Sequence, residues 1–131
     1  MPVDSGQDII TACLLEEGII QNTIKDKSYV RVSDVKKVKD LNQKLSDNQP
    51  YCVLIRTGKT SSVTQEARRL VASKEFVKTT IAKAIVVEGA WSRIIANLYL
   101  RVNKPNMTTK IFEKPEDAID WLRIEYKNFK L

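Results

Sequence analysis

The side chains with chemical reach are few. They are two cysteines, Cys13 and Cys52, the step Gly58-Lys59-Thr60, the hydroxyls of Ser61, Ser62 and Thr64, and the acidic pairs Glu16-Glu17 and Glu116-Asp117. Histidine is absent, so Ser-His-Asp and Cys-His catalysis lack their base. Zinc and non-haem iron sites lose their commonest ligand. Two thiols that form no CxxC pair build no Cys₄ site, and each reads as a small buried hydrophobe on an apolar strand. No local run of basic groups lowers either thiol's pKa, and spacing alone leaves a disulfide between them open.

Gly58-Lys59-Thr60 follows an apolar strand and invites comparison with a phosphate loop. That loop needs a further glycine five positions earlier, where this chain has Val53. Nucleotide hydrolysis is therefore rejected. What survives is a weak anion site at Lys59, Thr60 and Ser61, since short polar loops present several N–H groups. Thr64 has a structural use as the N-cap of a helix with Glu66 in its first turn. Glu16-Glu17 belongs to a turn and Glu116-Asp117 to the positive start of a helix. Neither pair needs a catalytic explanation. The expectation is a non-enzyme without metal or cofactor.

Elements that would position these groups follow from hydrophobic spacing. The 131 residues are one domain's worth, with 43% hydrophobic and 29% charged residues, enough for a core without staples. Residues 1–8 read as loose. Runs 9–15 and 19–25 flank Glu16-Glu17-Gly18 and predict a hairpin. Ser33 or Asp34 caps a helix whose inner face is Val35, Val38, Leu41 and Leu45, ending near Asp47-Asn48 before Pro50. Tyr51-Cys52-Val53-Leu54-Ile55 is a strand buried on both faces. Residues 58–63 form a loop, and Ala67, Leu70 and Val71 are the inner face of the next helix. A strand at 81–87, a helix at 90–102, a strand at 109–112 and a helix begun by Pro115 complete the order ββαβαβαβα. That order predicts an α/β fold with a single mixed sheet, an antiparallel N-terminal hairpin, and helices packed on it.

The helix at 90–102 places Trp91, Ile94, Ile95, Leu98 and Val102 on one face. Ala96 and Leu100 fall on the other, among Arg93, Asn97 and Arg101, with Tyr99 at the margin. Arg93, Ala96, Tyr99 and Leu100 are the candidate contact with a second subunit or partner. The net charge of +6 raises nucleic acid or anionic lipid as partners. Lys36, Lys37, Lys39 and Lys44 are placed away from the apolar face, but Asp26, Asp34, Asp40 and Asp47 are interspersed and no aromatic-basic interleaving occurs. A solvated helix face is preferred and nucleic acid disfavoured. No Sec signal and no apolar run of membrane-spanning length is visible, which predicts a cytoplasmic protein.

Tyr51-Cys52-Val53-Leu54-Ile55, Ser62-Val63-Thr64-Gln65-Glu66-Ala67-Arg68, Ala72-Ser73-Lys74-Glu75, Asn103-Lys104-Pro105, Thr109-Lys110-Ile111-Phe112 and Ala118-Ile119-Asp120-Trp121-Leu122 together resemble a family of small bacterial proteins placed with the STAS, or SpoIIAA-like, fold. The likeness covers roughly residues 50–123. It implies a non-catalytic interaction or regulatory module. In the best-known members a serine at the start of a helix is phosphorylated, usually within Asp-Ser-Ser-Gly. The corresponding stretch here, Ser61-Ser62-Val63-Thr64-Gln65-Glu66, lacks the glycine and sets Glu66 where it would repel a phosphate on Thr64. The expected function is association, as a homodimer or with another protein. The alternative is a carrier or binder of a small apolar or anionic ligand, by analogy with lipid carriers of the same fold.

Overall fold

Strand character shows first where apolar residues alternate around a tight turn. In the computed structural model, which describes residues 8–57, 61–87, 108–131 and the backbone of 2–3, the turn Glu17-Gly18 joins β2 (Ile10–Glu16) to β3 (Ile19–Ile24). Gly18 has φ +84°, a left-handed conformation open to glycine at little cost, and any side chain there would run into the Tyr126 ring. The short β1 (Pro2–Val3) pairs antiparallel with the outer edge of β2.

The chain then turns through β4 (Tyr29–Val30) into α1 (Val32–Leu45). The predicted cap at Ser33 or Asp34 is corrected by one turn. Arg31 is the N-cap residue, and Asp34 lies inside the helix, its carboxylate accepting the Arg31 N–H at 2.9 Å. Asp47 and Asn48 take left-handed φ values of 56° and 60° and stop the helix where the sequence indicated. β5 (Tyr51–Arg56), β7 (Thr80–Val86) and β8 (Thr108–Phe112) run parallel to β3. The sheet order is β1-β2-β3-β5-β7-β8. The predicted 58–63 loop is corrected at its end, where β6 (Ser62–Val63) pairs in parallel with β4. α2 (Gln65–Ala72) is followed at once by α3 (Lys74–Val77), a turn of helix that the spacing did not signal. α4 (Pro115–Lys130) closes the chain, with Pro115 in its first turn.

Alternation along the strands divides the core. Ile19, Cys52, Leu54, Ala82, Ala84 and Val86 meet Ala118 and Leu122 of α4 on one face. Ile20, Tyr51 and Val53 face the other way, beside Ile10, Ala12, Val30, Val35, Val38 and Ala67. β5 is thus buried on both faces, as its continuous apolar run required. Arg123 of α4 grips Glu16 of the hairpin through Nη2 at 2.8 Å and Nε at 3.1 Å. The predicted helix at 90–102 lies outside the described residues.

Candidate functional site

The hydroxyls singled out in the sequence are held by the backbone. Thr64 accepts the Ala67 N–H at 3.1 Å, which is the N-cap expected of it. Ser61 donates to the Lys25 carbonyl at 2.6 Å. Ser62 is exposed on β6. Lys59 and the contact candidates Arg93, Ala96, Tyr99 and Leu100 lie outside the described residues. Both cysteines are free thiols. Burial pushes the Cys52 thiol up to about 12, so it is a packing group beneath α4. Among the described residues no cluster of His, Cys, Asp or Glu suits a metal ion, and no helix is long and apolar enough to cross a membrane.

The structure instead assembles a polar cluster on the sheet face opposite α4. Lys39 does not join the solvated face predicted for it. Its position four residues after Val35 turns it inward, where Nζ donates to Thr79 Oγ1 at 3.1 Å, Tyr51 Oη at 3.3 Å and Thr80 Oγ1 at 3.5 Å. The same ammonium lies 4.9 Å from the Phe76 ring centroid and 5.5 Å from that of Tyr51. Burial holds its pKa below the ordinary lysine value. Lys36 and Lys44 are exposed as predicted, and Lys37 pairs with Asp8.

Lys83 is the second cation. It sits in the middle of β7, in register with Val53 of β5, and is only 8% exposed. Register places it on the Tyr51–Val53 face, the face from which Lys39 approaches. Burial, reinforced by the charge of Lys39, pushes its pKa down to about 8. Among the described residues neither lysine has a carboxylate within ion-pair distance. The neighbours are neutral. The Tyr51 hydroxyl accepts from Lys39, burial pushes its pKa up, and Asn42 exchanges amide hydrogen bonds with Asn22 of β3 at 2.8 and 2.9 Å. A lysine interrupting Ile81-Ala82-Ala84-Ile85 was the available signal for this cluster.

A second feature lies at the hairpin end of the sheet. Leu14, Gly18, Ile20, Leu45, Tyr126 and Phe129 line an open groove of about 430 Å³. Leu14 is 38% and Phe129 54% exposed.

The family model described as a domain of unknown function (DUF7793) matches residues 13–126. The chain is also similar to an uncharacterized protein from the DUF3478 family, of SpoIIAA-like fold, from Shewanella loihica PV-4, whose crystal structure superposes with a TM-score of 0.60. Identity is 17%, over 92% of this chain and 98% of that one. No curated protein matches. The superposition bears out the SpoIIAA-like fold expected from the sequence.

Proposed function

The chain belongs to the DUF7793 family of domains of unknown function, and from that premise we propose that it is a non-catalytic, STAS-type association module that works as a cytoplasmic homodimer. The carrying observation is the apolar surface left at α4 and the hairpin. α4 spends Ala118 and Leu122 on the sheet, yet Ile124 is 57% and Phe129 54% exposed, with Leu14 and Leu15 nearby in the chain's hairpin. Single exposed apolar residues are ordinary, but Leu14, Tyr126 and Phe129 line one groove, and grouped apolar side chains mark contact surfaces. The spacing of Arg93, Ala96, Tyr99 and Leu100 proposes a second contact of the same kind. The reactive groups that the sequence offered support the non-catalytic reading, because Thr64, Ser61 and Cys52 are all engaged in holding the fold.

Two variants test this on the whole chain. Phe129→Glu and Leu100→Glu should each leave the circular dichroism spectrum unchanged, and one of them should shift the protein to a smaller species on sizing. Unchanged size in both variants contradicts the reading. A collapsed spectrum for Leu100→Glu assigns that residue to the core instead. A second reading, a binder of a small anionic ligand, is favoured by one observation, the approach of half-buried Lys39 to buried Lys83.

A further inference from the structure

Half-buried Lys39 and buried Lys83 bring two ammonium groups to one sheet face, and among the described residues only neutral oxygens and rings are placed around them. Lys39 spends its three protons on Thr79, Thr80 and Tyr51, all neutral acceptors. Lys83 is only 8% exposed and has no hydrogen-bond or ion-pair partner among the described residues, and its Nζ keeps a contact with solvent, since none of their fully enclosed side-chain nitrogens or oxygens lacks a partner. Its strand neighbours Ala82 and Ala84 point to the α4 face, so only Lys83 interrupts the apolar lining at this point of β7.

We propose that Lys39 and Lys83, with the hydroxyls of Tyr51, Thr79 and Thr80, form a binding site for a small oxyanion of the phosphate or carboxylate class. The inference gives the second reading above a site and a ligand, and rests on that reading and not on self-association. An oxyanion supplies the negative charge that neither lysine meets among the described residues and accepts hydrogen bonds from ammonium and hydroxyl groups together. The hydroxyls that now accept from Lys39 rotate to donate when the lysine turns to the anion, so no polar group is stranded. Lys39 of α1, Phe76 of α3, and Thr79 and Thr80 at the start of β7 all keep partial contact with solvent, so an anion meets the site from the Lys39 side. The amide pair Asn22–Asn42 ties α1, the helix that carries Lys39, to β3.

The test is thermal unfolding of the full chain in sodium phosphate, sodium acetate and sodium chloride at equal ionic strength, on the wild type, Lys39→Met, Lys83→Met and the surface control Lys36→Met. Phosphorus NMR of inorganic phosphate in the same samples supplies a direct reading of binding. The expected result is a rise in Tm of about 3–6 °C in saturating phosphate or acetate over chloride, present in the wild type and Lys36→Met, and absent in both buried-lysine variants. Phosphate stabilises many proteins by exclusion from their surfaces, so a rise of equal size in all four proteins overturns the proposal. Line broadening that persists in both buried-lysine variants overturns this site while leaving the chain an anion binder. No broadening, with no rise over chloride in phosphate or acetate, overturns the site and the ligand-binding reading together.

Discussion

Asn22 of β3 and Asn42 of α1 face each other as a closed amide pair, each donating to the other's carbonyl at 2.8 and 2.9 Å. The pair fastens the first helix to the sheet by a polar contact beside the apolar one that Val35 and Val38 make. Both residues are only 5% exposed, so neither can turn to water if its partner is removed.

Asn42→Leu should therefore destabilise the chain by about 2–3 kcal/mol, because it strands the Asn22 amide. Asn22→Leu should cost a similar amount. The double variant should cost clearly less than the sum, since two leucines leave nothing unpaired. Denaturant unfolding of the four proteins measures the coupling, and strict additivity would mean that the amides do not act as a unit.

Lys83→Met should stabilise the protein at pH 7. The folded pKa is near 8 and the unfolded value near 10.5, so between these limits the unfolded chain holds the extra proton and stability rises with pH. The variant lacks this dependence. Its advantage should be at most about 3 kcal/mol near pH 7 and shrink towards zero by about pH 10.5. Cys52 works in the opposite sense above pH 9, where its unfolded thiol ionises and its folded thiol does not, and burial of Tyr51 adds to this above pH 10. Both are present in wild type and variant, so the difference between the two proteins isolates Lys83. A gap that does not change between pH 7 and pH 10 would contradict the assignment.

Gly18→Ala should cost about 1–3 kcal/mol, because φ is +84° there and the added methyl meets the Tyr126 ring. In a Tyr126→Leu background the added cost should fall, leaving the backbone strain. Equal costs in both backgrounds would show that the ring gives way freely.

Thr64→Ala should cost about 1 kcal/mol as the loss of a cap, and Thr64→Ser only a few tenths. A loss of partner binding or dimerisation in Thr64→Ala, at unchanged stability, would instead favour the switch serine of the STAS comparison.

The legible parts of this fold are those whose causes are local. Cys52 and Leu54 against Tyr51 and Val53 announce a strand with two buried faces, Thr64 announces a cap, and Pro115 with Glu116 and Asp117 announces a helix start. Lys83 is signalled by its place inside an apolar strand, but the Lys39 contacts are not legible, because they reach partners 40 and 41 positions away and no local pattern reports them. An inner face of Val35, Val38, Leu41 and Leu45 describes the apolar part of α1 and omits Lys39 and Asn42, which share its inward stripe. The β4–β6 pairing is two residues long on each side, below the length at which alternation can be seen.

Self-association is the claim on which the functional reading turns, and absolute mass in solution measures it most directly. Multi-angle light scattering across a dilution series in the micromolar range should return about twice 14.9 kDa at the upper end, falling on dilution or on introducing Phe129→Glu or Leu100→Glu. A mass of 14.9 kDa at every concentration would contradict the account.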